Sequence, residues 1–203
     1  MEVIAVTGTP GTGKTALSKK LAKKLDFYYL DANKVISKYK LSEGYDKKRN
    51  TKIVDVNKLN RKLIEEINFL KKFNLLNCTL LPTARSTKSI NKIKTLTNKS
   101  LKNKFTKNKI KKYNGIIIDS HLSHYLPRKY VDFCIITKCS IKELDKRLKN
   151  KKFSKSKTNE NLQAEIFDIC YNEAIGRKHK VIAIDTTKGF NINKIAGQMG
   201  FKC

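Results

Sequence analysis

Gly8-Thr9-Pro10-Gly11-Thr12-Gly13-Lys14-Thr15 is the stretch on which the reading of this chain turns. Before it runs the largely β-branched Val3-Ile4-Ala5-Val6-Thr7, and after it residues 14–25, with apolar positions at 17, 21, 22 and 25. The order is strand, glycine-bearing turn, amphipathic helix. In that setting Gly-x4-Gly-Lys-Thr is the pattern of a phosphate-cradling loop. Glycines let the backbone wrap an anion, and successive N–H groups and the helix N-terminus point at it. Lys14 brings a charge to the β and γ oxygens, and Thr15 offers a hydroxyl to Mg²⁺.

Outward from this loop, Phe27–Leu30, Gly115–Asp119, Val131–Thr137 and Val181–Asp185 read as further strands. Helical spacing is predicted over 57–71, where Leu59, Leu63, Ile64, Ile67 and Leu70 share a face, and over 141–149, 160–175 and 191–197. A basic connector is expected at 150–158. Strands alternating with helices predict an α/β fold with a doubly wound parallel sheet and helices on both faces. At 203 residues the chain is read as a single domain over 1–203. No run approaches the roughly 20 apolar residues that span a bilayer, and Met1-Glu2 leads straight into a strand without a leader pattern, so the expected location is cytoplasmic.

A triphosphate site also needs a carboxylate reaching the metal from a neighbouring strand end. Asp119, closing the apolar run 115–118, is the candidate. His121 lies two residues on and is read either as the group that orients a water or phosphate, or as a histidine that only hydrogen-bonds its loop. The basic stretch Arg147 to Lys155 is either a solvated charge run or a lid that closes on the triphosphate.

The balance of 45 Lys+Arg against 17 Asp+Glu, a formal charge of +28, attracts polyanions, nucleic acid first among them. A lysine-rich codon bias or a salty cytoplasm would explain the same number. Only Arg49, Arg61, Arg85, Arg128, Arg147 and Arg177 are arginines, few for a reader of RNA. Residues 71–114 hold 13 basic and no acidic side chains. They are read as an insertion that is either a polyanion contact or a silent solvated expansion. Cys78, Cys134, Cys139, Cys170 and Cys203 have no metal or redox spacing and read as incidental thiols.

Gly-Thr-Pro-Gly-x-Gly-Lys-Thr at 8–15, Gly-Tyr-Asp at 44–46, Ile-Ile-Asp-Ser-His at 117–121, Arg-Leu at 147–148 and Asn-Leu-Gln-Ala-Glu-Ile-Phe at 161–167 follow one another as in the adenylate kinase isoenzyme 6 family. The chain resembles that family over about 1–70 and 115–190. The resemblance implies an adenylate-kinase-like P-loop NTPase core with a monophosphate-binding region at 31–56 and a lid at 150–160. It also implies nucleoside monophosphate kinase and ATPase activities with ATP and Mg²⁺. The further implication is a role in late small-ribosomal-subunit maturation, at 3′-end processing of its rRNA. Its partners there would be a platform ribosomal protein, with rRNA as a further candidate. Carried over by position, Gly11, Gly13, Lys14, Thr15, Ala16, Lys151 and Lys188 would contact nucleotide, and Thr15 and Asp119 the metal. The catalytic set would be Lys14, Asp119, His121, Arg147 and Lys151. Ala16 stands where Thr or Ser is frequent, and Lys151 where Arg is usual. Lys152-Phe153 replaces Gly-Tyr. Ser37-Lys38 replaces the monophosphate-binding Arg, for which Lys38, Arg128 or Lys129 are candidate substitutes.

In kinase action an already ionised monophosphate oxygen attacks the γ-phosphorus, so positioning and charge neutralisation suffice. In hydrolysis a water takes that place, oriented by His121. A ribosome-assembly ATPase with little kinase activity, and a kinase for another small acceptor such as shikimate or gluconate, are the alternatives.

Overall fold

The computed structural model describes residues 1–47, 51–79 and 112–201. Most of the predicted basic insertion, together with Arg49 and Cys203, lies outside the described residues. Residues 1–67 and 114–203 form one compact unit and 68–113 a second. In the second unit the Asn74 amide donates to the Tyr113 carbonyl at 2.9 Å.

The first unit is built on five parallel strands: β1 (Glu2–Thr7), β2 (Phe27–Asp31), β5 (Gly115–Asp119), β6 (Phe133–Lys138) and β7 (Val181–Asp185). Their order across the sheet is β2-β5-β1-β6-β7. The α/β class and the parallel sheet expected from the alternation of strands and helices are thus present. Ile4 and Val6, with Ile117, Phe133, Ile135 and Ile184, pack beneath α1 (Lys14–Leu25) and α7 (Ile192–Gln198) through Leu17, Leu21 and Ile195, with Met199 capping α7. The alternate residues Val3, Ala5, Ile116, Ile118 and Cys134 turn to the opposite face and are equally buried. Helix α6 (Ile169–Gly176) lies on that face, and its Cys170 is felt electrostatically by Cys134. Burial on both faces explains why these strands read as continuous apolar runs rather than alternating ones.

Register places the site. Asp119 at the end of β5 pairs with Val6 on one side and Asp31 on the other. The loop after β1 and the chain after β2 therefore flank Asp119 at the carboxyl edge of the sheet, where open α/β sheets bind ligands.

Several sequence expectations need correction. Around Gly44-Tyr45-Asp46, where no strand is expected from the sequence, lies a hairpin, with β3 (Ser42–Asp46) antiparallel to β4 (Thr51–Val54). A short helix α2 (Ala32–Lys38) precedes it, started by Asp31, whose side chain accepts from the Asn33 N–H at 2.9 Å. Helix α3 extends over Val56–Thr79 rather than 57–71. The basic connector expected at 150–158 is the end of α4 (Ile141–Asn150), a turn and the start of α5 (Lys155–Ile166). The helix read over 160–175 is two helices, broken where Asp168 takes the left-handed conformation at φ 52° before α6. Strand β6 starts at Phe133, because Arg128–Tyr130 forms a 3₁₀ turn. No helix among the described residues is long and apolar enough to cross a membrane.

Candidate active site

The loop 8–13 wraps because Gly8, Gly11 and Gly13 hold φ of +135°, +100° and +87°. Gly8 has a second reason to be glycine: a Cβ there would lie 2.4 Å from the Thr137 carbonyl oxygen. Buried threonines tie the loop down. Thr12 Oγ1 donates to the Thr9 carbonyl at 2.7 Å and lies 2.7 Å from Thr137 Oγ1. The Thr186 hydroxyl, just past β7, donates to the Thr12 carbonyl at 2.7 Å. Each buried polar group is thereby satisfied while the backbone keeps its curved shape. The Lys14 ammonium donates to the Thr9 carbonyl at 2.9 Å. Burial lowers its pKa to about 8, against the raising effect of Cys170 and Asp119, so at neutral pH it remains mostly charged.

A cavity of about 540 Å³ opens on this loop, walled by Gly11, Gly13, Lys14, Thr15 and Ala16. Its other wall comprises Arg147, Asn150, Lys151, Thr186, Gly189 and Phe190. Arg147 and Phe190 bring a planar guanidinium and an aromatic ring, surfaces on which a base stacks. The Arg147 fork is engaged. It donates to the Thr186 and Thr187 carbonyls at 2.9 and 3.2 Å and to Glu143 at 2.9 Å. It is thus held against the loop after β7. Lys151 is exposed at the end of α4, and the following Lys152 has φ 55°, the conformation a glycine would take there without strain. Phe153 packs with Cys139, Leu144, Leu148 and Leu162, which anchors the turn between α4 and α5. Lys188 is exposed and does not line the cavity; its neighbours Gly189 and Phe190 do.

A second cavity of about 630 Å³ is lined by Asn33, Ile36 and Ser37 of α2, by Tyr45, Thr51, Lys52 and Val54 of the hairpin, and by Val56, His121 and Leu122. His121 therefore belongs to this cavity and not to the one on the phosphate loop. Its side chain is exposed, and desolvation at the cavity together with the Lys14 charge lowers its pKa, which favours the neutral imidazole. Of the candidate substitutes for a phosphate-binding arginine, Lys38 is ion-paired to the buried Glu66. Arg128 donates to the Val131 carbonyl at 2.7 Å, and Lys129 lies over the Tyr130 ring. Among the described residues Lys52 is the cation that lines this cavity.

Asp119 is buried and accepts the Tyr29 hydroxyl at 2.7 Å. It lies beside the loop through its pairing with Val6. The Glu165 carboxylate, in the Asn-x-Gln-x-Glu-Ile-Phe motif, is buried and accepts from the Cys139 N–H at 2.8 Å. Sequence reasoning missed Thr12, Tyr29, Thr186, Phe190 and the hairpin residues. Thr186 and Phe190 could have been suspected, since they follow directly on the last strand at the ligand-bearing edge. Nothing local marked Tyr29.

A family model described as an AAA domain matches residues 4–168. A protein of Methanosarcina acetivorans named "Putative adenylate kinase" is 30% identical over 97% of this chain and 83% of its own length. A protein of the same name from Methanocaldococcus jannaschii is 31% identical over 91% of this chain and 76% of its own. A crystal structure from Chloroflexus aurantiacus superposes with a TM-score of 0.50 over 98% of this chain and 96% of that one, at 14% identity, a likeness of fold alone. The chain belongs to the AAA-domain family of P-loop proteins and to the same family as these adenylate-kinase-like relatives, the P-loop nucleotide kinases.

Proposed function

We propose that this chain transfers the terminal phosphoryl group of ATP to a nucleoside monophosphate, and that it is a member of the adenylate kinase isoenzyme 6 group that also hydrolyses ATP. One observation carries the reading: there are two separate cavities, one on the phosphate loop after β1 and one lined by α2 after β2, the hairpin and His121, and Asp119 pairs with both β1 and β2. ATP occupies the first, with its phosphates on the loop amides and Lys14. The acceptor occupies the second, which makes 31–56 the monophosphate-binding region. The segment 150–160 acts as the lid through Lys151. Thr15 and Asp119 suit Mg²⁺, because that ion takes one or two protein oxygens and completes its shell with phosphate and water. When bound, Mg²⁺ supplies charge to the β and γ oxygens. The chain's own residues then orient and neutralise: Lys14 and Lys151 face the transferred oxygens, and Arg147 braces the cavity wall. Neutral His121 accepts from, or donates to, the attacking group without adding charge.

A second reading has its own support. With Lys38 bound to Glu66 and Arg128 to a carbonyl, the acceptor cavity holds a monophosphate with Lys52 as its described cation. A water acceptor, and an ATPase cycle in small-subunit maturation with a platform ribosomal protein and rRNA in the cytoplasm, fits such a weakly cationic cavity. Purified chain given Mg·ATP with AMP, CMP, UMP or GMP decides between them. Rapid ADP formation dependent on one monophosphate supports the kinase. A slow rate indifferent to all four supports the ATPase.

A further inference from the structure

The hydroxyl of Thr7, the residue before Gly8, is wholly buried with two partners: His124 Nδ1 at 2.8 Å and the His121 carbonyl oxygen at 3.1 Å. On the other side of the ring, His124 Nε2 lies 2.8 Å from Glu173 Oε2 of α6, and the second Glu173 oxygen accepts from the Tyr125 hydroxyl at 2.8 Å. Proton inventory fixes the roles. Opposite a carboxylate, Nε2 carries the proton of a neutral imidazole, so Nδ1 is the acceptor and the single Thr7 proton goes to it. The bonds continue into the loop: Thr137 Oγ1 lies 3.2 Å from the Thr7 carbonyl oxygen and 2.7 Å from Thr12 Oγ1.

Resting on the reading of this loop as an ATP site, we propose that His124 is a positioning residue: tethered by Glu173 and neutral, it accepts the Thr7 hydroxyl and fixes the entry of the phosphate loop. Protonation makes Nδ1 a donor. The Thr7 hydroxyl then turns to the His121 carbonyl, and the loop loses part of its hold on the triphosphate.

The charged groups around the ring set when it happens. Glu173 of α6 and Arg177 just past its end act on the ring, and Arg177 lies over the Tyr125 ring at 4.5 Å. His179, in the segment before β7, places its Nε2 2.9 Å from the His124 carbonyl, and His121 lies on the same loop. Burial lowers the His124 pKa, Glu173 opposes that, and Arg177 and His179 lower it again. Removing the Glu173 charge therefore moves the titration to lower pH.

The test pairs two readouts on wild type, Thr7→Ser, Thr7→Val and Glu173→Gln. The chain has three histidines, so the His124 imidazole is followed by NMR, while Mg·ATP affinity is measured by calorimetry from about pH 5 to about pH 8. Titration of the nucleotide is common to all four proteins and cancels in the comparison. Wild-type affinity is expected to fall on the acid side with the His124 midpoint, and Glu173→Gln to shift both by at least about half a pH unit. Thr7→Ser keeps the acid limb. Thr7→Val binds about three- to tenfold more weakly at neutral pH and lacks the limb that His124 causes. An identical limb in Thr7→Val and wild type overturns the proposal. So does a limb that stays in place while the His124 titration moves, which decides the matter alone if Thr7→Val does not fold. Because the readout is binding, absence of transfer to every monophosphate would sink the kinase reading and leave this test intact. Absence of Mg·ATP binding at every pH would overturn the ATP site and the relay together.

Discussion

Asp119, the last residue of β5, accepts the hydroxyl of Tyr29 on the neighbouring β2 at 2.7 Å. Burial first, then this bond, raises the phenol's pKa, so it stays a donor throughout the working range. Tyr29 thereby fixes the carboxylate assigned to Mg²⁺. Tyr29→Phe removes a hydrogen bond to a charged acceptor, worth about 1.5–3 kcal/mol, and is expected to cost about tenfold in kcat/KM. Half-saturation by Mg²⁺ should rise, while binding of metal-free ATP stays as in wild type. A magnesium titration of turnover checks this, and an unchanged Mg²⁺ requirement would separate Asp119 from the metal.

Gly8 and Gly176 offer a paired test of the loop's backbone. Gly8→Ala brings a Cβ to 2.4 Å of the Thr137 carbonyl at φ +135°, so the sheet edge or the loop must shift. A loss of about 1–3 kcal/mol is expected, with Mg·ATP affinity reduced in step. Gly176, at the end of α6, has open space and no positive φ, so Gly176→Ala should be neutral or stabilising by up to about 1 kcal/mol. Thermal unfolding of the two variants checks the contrast.

Arg147 uses its fork on two backbone carbonyls of the β7–α7 loop and on Glu143. A lysine cannot reproduce that geometry. Arg147→Lys is expected to raise the KM for ATP about three- to tenfold with a smaller change in kcat, because it loosens the cavity wall and not the loop. Steady-state kinetics with varied ATP distinguishes this from direct action on the γ-phosphate, which would lower kcat instead.

Much of this was legible in the sequence because it depends on local pattern. The glycine loop, its strand and its helix are contiguous, and each parallel strand, buried on both faces, reads as an apolar run. Asp119 was findable as the polar residue that ends such a run. What could not be read depends on pairing across the sheet. Tyr29 meets Asp119, Thr12 meets Thr137 and Thr186, and Thr7 meets His124 only because β2-β5-β1-β6-β7 sets them side by side. The hairpin Ser42–Asp46 with Thr51–Val54 escaped notice because its side chains are largely exposed and leave no apolar alternation. The break at Asp168 likewise carries neither glycine nor proline to signal it.

His124 and His179 are buried, and burial is the first cause holding each below the ordinary value near 6.5. Folding therefore favours their neutral forms. That stability is complete above about pH 6.5 and is lost as pH falls toward the folded values. The unfolding temperature is expected to decline between about pH 6.5 and about pH 5, above the range of most carboxylates. A flat profile there would show that the imidazoles are not desolvated as the fold implies.

The central claim is that the glycine loop and Lys14 hold the triphosphate, and calorimetry of Mg·ATP against wild type and Lys14→Ala tests it most directly. The wild type is predicted to bind one nucleotide per chain, and Lys14→Ala to lose at least about tenfold in affinity together with all turnover. No heat with the folded wild type, or equal affinity in the two proteins, would contradict the site.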